Sequence, residues 1–182
     1  TREIIARYDH LRPLIPGKAE IKAMGYDVYI DQMEENAIIE GDLGLVHYGV
    51  ALSERFQATH AGKRLGVSVL GRAYLLPALD AALPAGVALQ SMEACICWNR
   101  AARVPMEAFG AVRGRETFLV PRLDDDTNEF AMQFNLGIYH HDRVLAGSAE
   151  FGLAGVAPQA GRTRGLEHNA RYTADGGWDP AL

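Results

Sequence analysis

Phe130, Met132, Phe134, Leu136 and Ile138 alternate without a miss, while Glu129, Gln133 and Asn135 take the opposite positions. A period of two sends one set to a buried face and the other to water, which is a half-buried strand. Such a strand needs a sheet around it. His140-His141-Asp142 is a polar break, after which Val144 to Ala154 alternates again through Leu145, Ala149, Phe151 and Leu153. The pattern predicts a β-hairpin of residues 129–139 and 143–153 that buries Phe130, Phe134 and Phe151.

Upstream, Ile4, Ile5, Tyr8 and Leu11 recur at helical spacing and Pro13 closes the stretch, so residues 1–12 read as a short amphipathic helix. Ile21, Ala23, Tyr26, Val28 and Ile30 are strand-prone, and Asn36 to Glu40 starts a second strand-like run. Gly41-Asp42-Leu43-Gly44 reads as a turn and residues 45–52 as a strand, with Ser53 capping the helix that follows. Residues 67–76 fit a strand or a helix. Pro77 ends either one and opens a helical turn through Ala82, and Pro84-Ala85-Gly86 punctuates. Residues 87–98 also fit both periods, with the Gly110 break favouring strand and then helix. The expectation is one α+β domain over residues 1–154. Its central mixed or antiparallel sheet is flanked by helices and ends in the hairpin. An extended tail, residues 155–182, follows.

Composition narrows the function classes. With 182 residues, 18 Lys+Arg against 23 Asp+Glu and a net charge of -5, the chain lacks the cationic excess of a broad nucleic-acid footprint. No run of about 18 uncharged apolar residues predicts a membrane span. Residues 1–12 are too charged for the apolar core of a signal peptide, and a cytoplasmic protein is expected. Cys95 and Cys97, with no further cysteine, read as buried thiols rather than a zinc site. His140 and His141 sit where a hairpin must turn, and Asp124-Asp125-Asp126 lacks the alternating spacing of a calcium loop, so no metal site is expected.

Two stretches point to chemistry. Ala61-Gly62-Lys63-Arg64-Leu65-Gly66 combines glycines, which let a backbone come close to a ligand, with two cations suited to a phosphate. Further on, Asn99, Ala102 and Gly110 recur with the spacing of a motif in the GNAT superfamily of acyl-CoA-dependent N-acyltransferases, which residues 44–115 resemble. Met106 stands where that family usually has Tyr, and Ala111 where it usually has Phe.

The resemblance implies acyl transfer from a coenzyme A thioester to the amine of a small molecule. Gly62, Lys63 and Gly66 would then hold the pyrophosphate, with Asn99 among the cofactor-binding residues. Backbone amides near Val50 would polarise the thioester carbonyl, as an oxyanion hole does. His47, and Glu93 as second candidate, would take the proton of the attacking amine. Cys97 or solvent would protonate the departing thiolate.

A competing resemblance joins residues 85–94 to the start of the central helix of hotdog-fold thioester hydrolases and dehydratases. Phe118-Leu119-Val120-Pro121 and Ala149-Glu150-Phe151 are similar to that fold's sheet. It implies a dimer acting on an acyl thioester, with Glu93 as the nearest spare carboxylate. A third expectation is a ligand-binding module without catalysis.

Overall fold

The computed structural model describes residues 2–24, 32–70, 72–93, 106–121, 145–157, 171 and 174–175. Helix α1 (Arg2–Tyr8) continues into a 3-10 turn over Asp9–Leu14, where the fixed ring of Pro13 stops the α-helical ladder. Tyr8 and Leu11 enter the core, and Ile5 packs against it. Gly17 opens α2 (Lys18–Ala23), and the Glu20 carboxylate accepts the Gly17 N–H at 2.9 Å. Ile21 and Ala23 are therefore helical rather than strand-forming. Tyr26, Val28 and Ile30 lie outside the described residues.

The largest correction concerns residues 36–53. The strand-like run at 36–40, the turn at 41–44 and the strand at 45–52 all fall within one helix, α3 (Glu35–Thr59). Its buried stripe runs Ile38, Asp42, Val46, Gly49 and Ser53, spaced three or four residues apart. Ser53, expected as a cap, lies inside this helix. Its hydroxyl donates to the Gly49 carbonyl at 2.7 Å, which satisfies a group with no access to water.

Four strands follow: β1 (Leu65–Leu70), β2 (Val87–Glu93), β3 (Thr117–Pro121) and β4 (Gly155–Val156), ordered β1-β2-β3-β4. Every neighbouring pair is parallel, so the sheet is parallel and not mixed or antiparallel. The reason is the connections. Parallel neighbours need a crossover, and helical segments stand between successive strands: α4 (Leu76–Ala82), α5 (Met106–Gly110) and residues 145–150. Pro77 sits in the first turn of α4, where its missing N–H costs nothing. Gly86 takes a φ of 80° in the turn that leads into β2. Residues 87–93 are thereby strand.

The helical residues 145–150 also replace the expected second arm of the hairpin. Leu145 and Ser148, three apart, are buried together, a helical repeat rather than an alternating one. The first arm and the turn at 140–142 lie outside the described residues.

Register places Leu65 beside Val87 and Val67 beside Leu89, with Leu89 beside Thr117. That face is covered by helices: α3 packs on β1 and α4, and α4 on β2. The core is the layer between, with Leu43, Val46, Leu75, Leu79 and Leu89 almost wholly removed from water.

Candidate functional site

Helix α3 and edge strand β1 are joined by residues 60–64 and run in opposite directions. Thr59 thus lies near Leu65 at one end, and Asp42 near Arg72 at the other. At mid-length a glycine sets their spacing. A Cβ on Gly49 would sit 3.4 Å from Leu79 Cδ2 and 3.5 Å from Val67 Cγ1.

Between the two elements lies a groove of about 700 Å³. Leu45, Tyr48, Leu52 and Phe56 of α3 form one wall, Leu65 and Val67 of β1 the other, and Leu75 and Leu79 the base. Leu45, Tyr48 and Leu52 are 44%, 63% and 46% exposed, so this wall is a ridge of large apolar side chains open to solvent. Contiguous exposed apolar surface of this kind marks a binding site more often than a solvated face. The volume and apolar lining match those of small-molecule pockets. On the outer side of β1, no strand pairs with it among the described residues.

The fixed charges that line the groove have one sign: Arg55 and Arg72 line it, with His60 beside them, and no carboxylate does among the described residues. His60 stacks on Phe56 with ring centroids 4.6 Å apart, and its Nδ1 lies 2.8 Å from the Thr59 hydroxyl. Arg72 is held from behind by Asp42, Nη1 to Oδ1 at 2.5 Å. The Asp42 carboxylate is fully buried. Burial pushes its pKa up, and the Arg72 guanidinium pulls against that rise. Burial, and then the Asp42 charge, push the Tyr74 hydroxyl up as well.

The residues expected from sequence are scattered relative to this groove. His47 lies on α3 but points away from it. Its ring meets Tyr8 edge-on at 5.5 Å and 60°, and its buried Nδ1 has no hydrogen-bond partner among the described residues. A strand would have turned His47 to the ligand and Tyr48 to the interior; the helix does the reverse. Val50 is buried mid-helix, where its N–H serves the helical ladder rather than a thioester carbonyl.

Gly62, with a φ of 75°, and Lys63 form the turn at one end of the groove, and Gly66 of β1 lines it. Arg64 beside them is paired with Glu116. Glu93 ends β2, opposite Pro121. Cys97 and Asn99 lie outside the described residues. Sequence reasoning missed Asp42 and Arg72. The available signal was a carboxylate falling on the apolar stripe of a helix.

Among the described residues no group of three or more His, Cys, Asp or Glu is placed to hold a metal ion. No described helix is long and apolar enough to cross a membrane. The chain matches no model of a known protein family, no curated protein sequence and no solved structure.

Proposed function

We propose that this chain binds an acyl thioester of coenzyme A, with the acyl chain along the groove between α3 and β1 and the phosphates toward the turn at Gly62 and Lys63. One observation carries the reading. In a chain of net charge -5, an apolar groove of about 700 Å³ is lined by two guanidinium groups, Arg55 and Arg72, and by no carboxylate among the described residues. That combination suits a ligand with an apolar body and an anionic head. The sequence resemblance to N-acyltransferases favours the same ligand class; the hotdog resemblance adds nothing, because residues 87–93 are strand β2 rather than the start of a central helix. The outer edge of β1 offers backbone donors and acceptors, which suit the amides of a pantetheine arm.

Transfer to an amine is the catalytic extension of this reading. The amine nitrogen attacks the thioester carbonyl carbon, the C–S bond breaks, and the proton lost by the amine ends on the thiolate. Imidazole is the side chain suited to carry that proton near neutral pH. His47 does not line the groove, and His60 stands at its phosphate end, a pantetheine arm away from the thioester, so in this reading water carries the proton.

Calorimetric titration of the full chain tests the binding. Each buried methylene contributes about 0.8 kcal/mol, so an acyl-CoA of medium chain length should bind at least about tenfold more tightly than free coenzyme A. Failure of the acyl-CoA to bind up to millimolar concentration overturns the reading. Release of free thiol that rises when an amine is added distinguishes transfer from hydrolysis and from binding alone.

A further inference from the structure

Arg72 stands at the end of the groove opposite the Gly62–Lys63 turn, an unusual place for a guanidinium if the ligand's tail is a plain hydrocarbon. It is 35% exposed, it lines the same groove as Leu45, Leu75 and Leu79, and its partner Asp42 is fully buried within α3. Covering its exposed N–H groups with alkyl chain removes their water and returns nothing beyond the existing pairing with Asp42, which is costly. Asp42 does not itself line the groove and fixes the guanidinium from behind. One Arg72 nitrogen serves Asp42 and the Tyr74 side chain also hydrogen-bonds the guanidinium, which carries five N–H donors on a planar fork that matches a carboxylate. The spacing is suitable too. From Leu45 to Thr59 the helix rises by roughly 21 Å, so the two cationic ends stand far enough apart for a chain with an anion at each end.

We infer that Arg72 receives a second anionic group on the ligand, and that the acyl chain carried by the thioester ends in a carboxylate. The inference rests on the proposed thioester binding and adds its substrate class: ω-carboxyacyl rather than plain fatty acyl. Arg72 binds and selects. Asp42 positions Arg72.

The test compares two coenzyme A thioesters of equal chain length, one ending in a carboxylate and one in a methyl group, titrated into the full chain. The wild type should prefer the carboxylate by about tenfold or more. Arg72→Gln should remove that preference, read as the ratio of the variant's own affinities for the two thioesters. Arg72→Lys, which keeps the charge but loses the fork, should retain only part of the preference, and it serves where the Gln variant does not fold. Equal wild-type affinity for the two thioesters overturns the inference and leaves the thioester reading standing. A preference that survives in Arg72→Lys at full strength and in Arg72→Gln also overturns it. If neither thioester binds, both readings fall together.

Discussion

Arg115 reaches across the start of β3 to Asp80 of α4 and closes a fully satisfied clamp. Its Nε donates to Asp80 Oδ1 at 2.7 Å, and its two terminal nitrogens donate to the carbonyls of Asp80, Leu83, Pro84 and Val87 at 2.8–3.1 Å. Both side chains are nearly buried, at 7% and 15% exposed. The clamp ties the C-terminal end of α4, the turn that follows and the start of β2 to the strand beyond, and so holds the crossover that makes β1 and β2 parallel. Removing one partner of a buried pair strands the other, so Arg115→Ala should cost about 3–5 kcal/mol in urea unfolding. Arg115→Lys should recover only part of that, because a single ammonium cannot span five acceptors. A loss under about 1 kcal/mol for the alanine variant would show the clamp to be incidental.

The same pair sets an acid limb. Burial raises the Asp80 pKa, but the Arg113 N–H, at 2.9 Å, and the Arg115 guanidinium outweigh it and hold the carboxyl below its ordinary value. A depressed native pKa adds stability above the unfolded value of about 3.9, and that contribution is lost as pH falls through the native value. Asp80→Asn should therefore be less stable than wild type at neutral pH, with the difference shrinking below about pH 4. Asp42 has the opposite sign: its raised pKa adds stability only at low pH, and that is lost as pH rises through the native value. Parallel stability curves for wild type and Asp80→Asn between pH 2 and 7 would contradict the assignment.

Gly110 and Phe151 make a contact that leaves no room for a methyl group: a Cβ on Gly110 would overlap the ring edge of Phe151. At the end of a helix, Gly→Ala ordinarily stabilises by up to about 1 kcal/mol. Here overpacking should reverse the sign, and Gly110→Ala should destabilise by about 1–3 kcal/mol. Replacing Phe151 by Leu as well should remove part of that cost, giving a coupling of about 0.5 kcal/mol or more in a double-mutant cycle. Additive effects would mean that the ring moves aside freely.

How much of this was legible follows from which signals are local. Pro77 and Gly86 act through their own backbones, and both mark real boundaries, the start of α4 and the turn into β2. Helix α3 is hidden in the sequence because Gly41, Gly44 and Gly49 suggest breaks, and because Leu45 to Leu52 carries apolar residues on both sides. A helix that buries one face and lines a groove with the other is apolar all round. Gly49 is there for close approach to Val67 and Leu79, a tertiary demand with no local signature. Residues 145–150 show the converse: Leu145 and Ala149, four apart, satisfy a strand's alternation and a helix's repeat equally. The groove was half legible. Gly66 lines it and Gly62 and Lys63 stand in the turn beside it, though that turn joins a helix to a strand rather than a strand to a helix, while Arg72 acquires meaning only when α3 brings Asp42 behind it.

The groove itself separates folding from binding, because its wall contains residues that the core does not need. Leu52 is 46% exposed and lies on the α3 ridge between Tyr48 and Phe56. Leu52→Glu should therefore leave unfolding free energy within about 0.5 kcal/mol of wild type, the scale of an ordinary surface change. The new carboxylate would be the first among the described residues that line the groove, and it would meet an anionic, apolar ligand with repulsion and lost contact area. Affinity for a medium-chain acyl-CoA should fall at least about tenfold. Met33→Glu is the matched control: Met33 is 40% exposed but lies outside the groove, so it should change neither quantity. If both variants bind as wild type does, the ligand lies elsewhere and the α3–β1 groove has no part in holding it.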